Sequence, residues 1–250
     1  MTRVLIVIPT YLEAQNIGEH LARTRAAVPH ADILVVDDNS DDGTADLAAA
    51  EAARLGNVEV LRRPAKSGLG SAYRAGFTVG IERGYDVLVQ MDADLSHDPA
   101  ALPDFLGEID RGVDLVIGSR YVPGGAIPHW PWLRRFLSRW GNWYANFVLG
   151  TPVRDATSGY RAYRADVLKA IDYSTTRATG YGIQLELAYR VWRWGGRIVE
   201  RPITFTDRVR GFSKMTWRIA LEELGLVTWW GVRDRAKRLS GRRASAAGTP

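Results

Sequence analysis

Short runs rich in Val, Ile and Leu recur five times in the first half of the chain, with segments of helical periodicity between them. This alternation leaves few folds open. "RVLIVIP", "DILVVDD", "NVEVLRR", "YDVLVQMD" and "VDLVIGSRY" read as strands. "EAQNIGEHLARTRAAV", "ADLAAAEAARL", "SAYRAGFTVGIERG" and "PAALPDFLGEIDRG" read as the intervening helices. Such spacing predicts an α/β fold with a mostly parallel sheet covered on both faces, and ligands bind such sheets at the carboxyl ends of the strands. The polar clusters fall there: "PTYLE" after the first strand, "DDNSDDGT" after the second, "DADLSHDP" after the fourth and "GSRY" after the fifth.

With 250 residues, 46% of them hydrophobic, the chain suits one α/β domain with a terminal elaboration. Cysteine is absent, which excludes disulfides and thiolate metal sites. Four scattered histidines argue against a His-rich zinc centre. No stretch is long and apolar enough to span a bilayer. "MTRVLIVIPTY" is too short for a secretory signal and lacks a cleavage pattern, so a cytoplasmic protein is expected. Residues 231–250 hold six Lys/Arg against one Asp, so this tail alone accounts for the net charge of +5. It reads either as a solvated, disordered end or as a contact with an anionic membrane or nucleic acid.

Asp92 and Asp94 stand two apart at the end of the fourth strand, so an extended backbone points both carboxylates to one side. Two like charges at the end of a buried element need a counter-charge, and a hard divalent cation, Mg²⁺ or Mn²⁺, takes such oxygen ligands along with substrate phosphates. The plainer alternative makes one of them a helix cap. Asp98, directly before Pro99, fits that role better, as N-cap with Pro at N1.

Asp37 and Asp38 end the second strand, where a carboxylate can accept hydrogen bonds from a ribose or a base, or close an Asx turn. Both readings hold, with Asp38 the better ligand contact. The turn after the first strand lacks G-x-G-x-x-G, and "KSGLGSAYRAG" lacks the G-K-[ST] of a phosphate loop. The first half therefore reads as a nucleotide site of neither common type.

The pattern changes after residue 120. "YVPGGAIPHWPW" is a Gly/Pro-rich loop, and "LRRFLSRWGNWYANFVLG" a helix with Trp132, Phe136, Trp140, Trp143 and Phe147 at three- or four-residue intervals. "GRIVERPITFTDR" reads as a long strand and "KMTWRIALEELGLVTWWGV" as a second Trp-bearing helix. Aromatics so spaced are commonly core. Here, however, seven of nine Trp fall in residues 130–143 and 217–230, interleaved with Arg134, Arg135 and Arg139, as in a helix lying in a membrane interface.

Eight blocks, in order, carry a family resemblance: "VIPTYLEAQNI", "VVDDNSDDGT", "GLGSAYRAGF", "MDADLSHDP", "VIGSRYVPGG", "DATSGYRAYR", "GYGIQLEL" and "ITFTDRVRGFSKM". Together they resemble the dolichyl/polyprenyl-phosphate mannose synthases, inverting glycosyltransferases of family 2 with the GT-A fold. The resemblance implies a GT-A domain over 1–230 and a basic, disordered tail over 231–250. A nucleotide-sugar half (1–120) would precede an acceptor half (121–230) with interface helices over 131–149 and 215–231. Pro9, Tyr11, Glu13, Val36 and Asp38 would line the donor site, with Asp92, Ala93 and Asp94 holding metal and diphosphate. Where the family often has a Gln metal ligand, this chain has Ser96, a weaker one. Arg120, Arg208 and Lys214 would contact phosphates, with Arg134 and Ser138 joining Arg120 at the acceptor phosphate. The partners implied are GDP-mannose, polyprenyl phosphate and the cytoplasmic side of the plasma membrane, met peripherally; some members also use a separate anchoring protein.

Transfer to a lipid phosphate brings two anions together, so cations must offset their repulsion. A phosphate is already ionised near neutral pH, so no general base is needed, and Asp155 and Glu186 are expected to position groups instead. The product would be a β-linked polyprenyl-phosphate mannose. Two rivals are the same fold using UDP-glucose, and a basic-tailed nucleic-acid-binding protein in which the Asp pair and "GSRY" would be idle; no nucleic-acid partner is expected.

Overall fold

The computed structural model describes residues 2–178, 180–207, 224–233 and 235. Its first half follows the alternation: β1 (Val4–Thr10), α1 (Ile17–Ala27), β2 (Asp32–Asp37), α2 (Thr44–Leu55), β3 (Val58–Arg62), α3 (Leu69–Glu82), β4 (Val87–Gln90), α4 (Leu102–Asp110) and β5 (Leu115–Ser119). The second half adds α5 (Trp132–Leu149), β6 (Arg161–Arg164), α6 (Ala165–Ala170), α7 (Gly182–Trp194) and β7 (Ile198–Pro202). A further helical segment covers 224–233. The sheet runs β3-β2-β1-β4-β6-β5-β7, parallel throughout except for β6.

Side chains alternate between the two faces, which explains why the strands read as unbroken apolar runs. Leu5, Val7, Leu34, Val36, Leu88 and Ile117 enter one core with Tyr73 and Phe77 of α3 and Leu187 and Val191 of α7. Ile6, Ile8, Ile33, Val35, Val89 and Val116 enter the other, beneath Leu21 of α1, Ala48 of α2 and Phe105 of α4. Each such fully buried branched side chain contributes roughly 2 kcal/mol. Helix α3 lies unusually close to the sheet: a Cβ on Gly76 would stand 2.3 Å from Val7 Cγ1, and one on Gly80 2.4 Å from Leu88 Cδ2.

Two expectations change. α1 starts at Ile17 rather than Glu13, because residues 13–16 form a turn in which the Asn16 and Ile17 amides both donate to the Glu13 carbonyl. The long strand expected over 196–208 stops at Pro202, with an isolated bridge from Thr204 to Ala126. Asp98 does cap: its side chain accepts from the Ala100 amide at 3.0 Å, ahead of Pro99.

Strand β6 matters most for the site. Because it runs against its neighbours, its first residue, Arg161, pairs with Gln90 and Ile117 at the carboxyl ends of β4 and β5. The loop that precedes β6, rather than the one that follows it, therefore reaches the ligand-binding edge.

Candidate active site

Two cavities meet at Asp92 and Asp94, which line both. The smaller, about 260 Å³, is also bounded by Pro9, Tyr11, Glu13, Asp38 and Ala93, all expected donor-site residues, and by Lys66, Gly68, Leu69 and Tyr181. Val36 is the exception. It is fully buried in the core under α3, so its side chain does not reach the cavity. Arg208 and Lys214 lie outside the described residues.

The carboxylates at the end of β2 divide their work. Asp37 accepts from Thr10 Oγ1, Ser40 Oγ and the Ser40 amide, and so closes a turn. Asp38 faces the cavity. Its carboxylate is tied to Arg63 at 2.5 Å and to the Ser67 and Gly68 amides at 3.1 Å. These contacts fold the loop 63–68 so that Lys66 lies 3.7 Å from the centre of the Tyr11 ring, a cation–π contact. Lys66 carries no motif of its own in "PAKSGLG". Its place beyond the carboxyl end of β3 was the available signal.

Asp92 Oδ1 accepts from Tyr73 Oη at 2.9 Å, and Asp94 Oδ1 from the Ser96 amide at 3.0 Å. Leu95, between Asp94 and Ser96, has a φ of 61°, a left-handed conformation that costs a branched residue about 1–2 kcal/mol and turns the chain sharply here. Ser96 Oγ is buried and, among the described residues, has no hydrogen-bond partner. Among the described residues no cluster of three or more His, Cys, Asp or Glu forms. Two carboxylates plus an unpartnered hydroxyl make an all-oxygen donor set, which fits Mg²⁺ or Mn²⁺ sharing substrate phosphates. His97, also buried, packs its ring against Tyr160 and Phe205, and burial lowers its pKa. His20 is enclosed too: burial pulls its imidazole down to about 4, against the opposing pull of Asp94.

The larger cavity, about 640 Å³, is lined by Ser96, His97, Arg120, Trp130, Arg134 and Ser138, and by Leu137 and Trp140 of α5. All three residues expected at the acceptor phosphate thus share one chamber. Arg120 is not a loose cation. It holds Asp155 through Nε and Nη2, both at 2.7 Å, and its side chain is only 8% exposed. Burial alone would lower its pKa, but the Asp155 charge and hydrogen bonds outweigh that and raise it. Arg134 pairs with Asp207 at 3.0 Å and lies over Trp130, whose Nε1 donates to the same carboxylate. Ser138 Oγ accepts from Tyr121 Oη at 2.6 Å. Glu186 takes the Arg177 and Ala178 amides and Arg190, which suits a positioning role away from both cavities.

The aromatic helix shows what periodicity left open. The buried face of α5 is Asn142, Ala145 and Leu149; Val227 and Trp230 of the 224–233 segment enter the same core. Trp132, Phe136, Trp143 and Phe147 stand in solvent at 58–78% exposure. Among the described residues no helix is long and apolar enough to cross a membrane.

Residues 5–172 match the model of the family described as "Glycosyl transferase family 2". The undecaprenyl-phosphate mannosyltransferase of Micrococcus luteus is 52% identical over 96% of this chain and 98% of its own length. The polyprenol monophosphomannose synthase of Mycolicibacterium smegmatis is 48% identical over 96% and 91%. Among solved structures, the mannosyltransferase PcManGT of Pyrobaculum calidifontis, in complex with GDP-Man and Mn²⁺, superposes with a TM-score of 0.57. That match covers 99% of this chain and 76% of the other, and at 17% identity it speaks to fold alone.

Proposed function

The chain belongs to glycosyl transferase family 2 and is a glycosyltransferase, and we propose that it moves mannose from GDP-mannose to the phosphate of a polyprenyl lipid at the cytoplasmic membrane face. Mannosyl transfer to a polyprenyl phosphate follows the relatives' names; the GDP donor is what the eight-block family resemblance implies. The observation that carries the reading is the shared wall. One pair of carboxylates, Asp92 and Asp94, separates a cavity at the strand ends from a second one that holds arginines and runs along an exposed aromatic helix.

In this reading the smaller cavity takes the nucleoside diphosphate, with Tyr11 offering a ring face and Asp38 and Glu13 offering acceptors. The cation that Asp92, Asp94 and Ser96 suit would neutralise charge on the departing diphosphate. Arg120 and Arg134 draw the acceptor phosphate into the larger cavity and screen it from the diphosphate. A phosphate oxygen, already ionised, attacks the anomeric carbon opposite the leaving group, and the configuration inverts. No residue has to remove a proton, which agrees with Asp155 and Glu186 both being committed to internal hydrogen bonds. The aromatic face of α5, flanked by Arg135 and Arg139, rests in the interface where the prenyl tail stays.

The test is direct. Purified protein is incubated with short-chain polyprenyl phosphate and labelled GDP-mannose, GDP-glucose or UDP-glucose, with Mn²⁺ or with EDTA. Labelled lipid is expected from GDP-mannose with Mn²⁺ only. Labelling from UDP-glucose instead, or full activity in EDTA, would refute the donor or the metal.

A further inference from the structure

The Asp92 carboxylate meets two parts of the chain remote from it in sequence. On one side stands Tyr73 of α3, fully buried, its phenol donating to Asp92 Oδ1 at 2.9 Å. It reaches the end of β4 because Gly76 and Gly80 let α3 settle onto Val7 and Leu88. On the other side stands Gly159, whose backbone leaves no room for a side chain: a Cβ there would lie 2.8 Å from Asp92 Oδ2. That glycine is itself pinned. Arg161, with no exposed surface, donates to the Ser158 carbonyl at 2.7 Å, and to those of Ala156 and Gln184 at 2.6 Å. The antiparallel course of β6 is what brings this stapled loop against the carboxylate.

We propose that Tyr73 and Gly159 are positioning residues which clamp the Asp92 carboxylate from opposite sides in the orientation that receives the divalent cation. The proposal rests on the metal-dependent reading of the site and adds the two residues that decide its geometry. A carboxylate free to rotate loses rotamer entropy each time it binds a cation, whereas one already fixed by a phenol and a backbone wall does not. Tyr73 is suited to this. A phenol, with an ordinary pKa of about 10, stays a donor near neutral pH, and this one is fully buried against the carboxylate.

The test uses the full chain and Mn²⁺ as probe, with binding followed by electron paramagnetic resonance in the presence of GDP. Tyr73→Phe keeps the ring and should weaken Mn²⁺ binding about tenfold, the worth of one hydrogen bond to a charged acceptor. Gly159→Ala, which forces Asp92 to move, should weaken it at least as much. In both variants GDP binding without metal should match the wild type. Raising Mn²⁺ should restore transfer in Tyr73→Phe, as a higher metal requirement with little change in kcat. Wild-type Mn²⁺ affinity in both variants would overturn the clamp, and so would metal-free GDP affinity falling in step with metal affinity. A wild-type protein that binds no Mn²⁺ with GDP would overturn the metal reading and the clamp together.

Discussion

The two cavities are built on different principles. Around the donor cavity the polar groups come from consecutive strand ends, and Asp37, Asp38 and Asp94 each accept from a backbone amide a few residues away or in an adjoining loop. Around the acceptor cavity they come from distant segments: Arg120 meets Asp155, Arg134 meets Asp207, and Tyr121 meets Ser138. The first is held largely by backbone amides at and beside the strand ends, with Arg63 and Tyr73 adding side-chain contacts to Asp38 and Asp92. The second depends on side-chain pairs between elements and opens beside a helix whose large apolar residues lie in solvent. In the proposed reaction, a soluble nucleotide sugar suits the former, and a lipid that keeps its tail in a bilayer suits the latter.

Asp94→Ala should separate the two regions most sharply. Transfer should fall on the order of 10⁴-fold through loss of a charge-stabilising ligand, while association with anionic vesicles stays unchanged; a parallel loss of vesicle binding would show that the regions are not independent. Breaking the acceptor side at its buried ion pair comes next. Asp155→Ala strands Arg120 and should cost about 4 kcal/mol in urea unfolding. Removing both partners should recover part of that, and a double variant no better than the single one would mean the pair is not coupled.

A third effect belongs to the layer beneath the donor side. His20 has a pKa of about 4 in the folded chain and 6.5 as its ordinary value. As pH falls the unfolded chain takes the proton first, so the contribution is fully present above pH 6.5 and is lost on the way down through about 4. That loss amounts to roughly 3 kcal/mol. Unfolding followed in EDTA should show this slope in wild type and a flatter one in His20→Gln; identical slopes would remove His20 from the account. The smallest effect is expected at the exposed aromatics. Trp143→Ser or Phe147→Ser should weaken binding to anionic vesicles roughly tenfold without lowering the midpoint of unfolding, since neither side chain is in the core. A drop in that midpoint with vesicle binding intact would return them to a packing role.

How far the site was legible follows the same division. Pro9, Tyr11, Glu13, Asp38, Asp92, Ala93 and Asp94 stand at the ends of strands visible in the hydrophobic pattern, and the fold gathers all of them around the smaller cavity. Asp98 announced itself as a cap through the proline after it. Val36 shares a face of β2 with Asp38 but lies two residues deeper, closed off in the core under α3, so only the strand's end reaches the cavity. Tyr73 and Gly159 gave no local signal. One lies on a helix whose apolar face is otherwise core, the other in a loop before a strand that runs the wrong way for the alternation.

The sequence by itself therefore determined the parallel half of the sheet, the edge where ligands meet it and the pair of carboxylates that edge presents, because strand period and turn chemistry are local properties of the chain. Tertiary structure alone decided what holds Asp92, which arginine faces which acid, and that the aromatic stripe of α5 points outward. These are contacts between segments far apart in sequence, set by the inserted antiparallel β6 and by the close seat of α3 on the sheet. No local pattern encodes either.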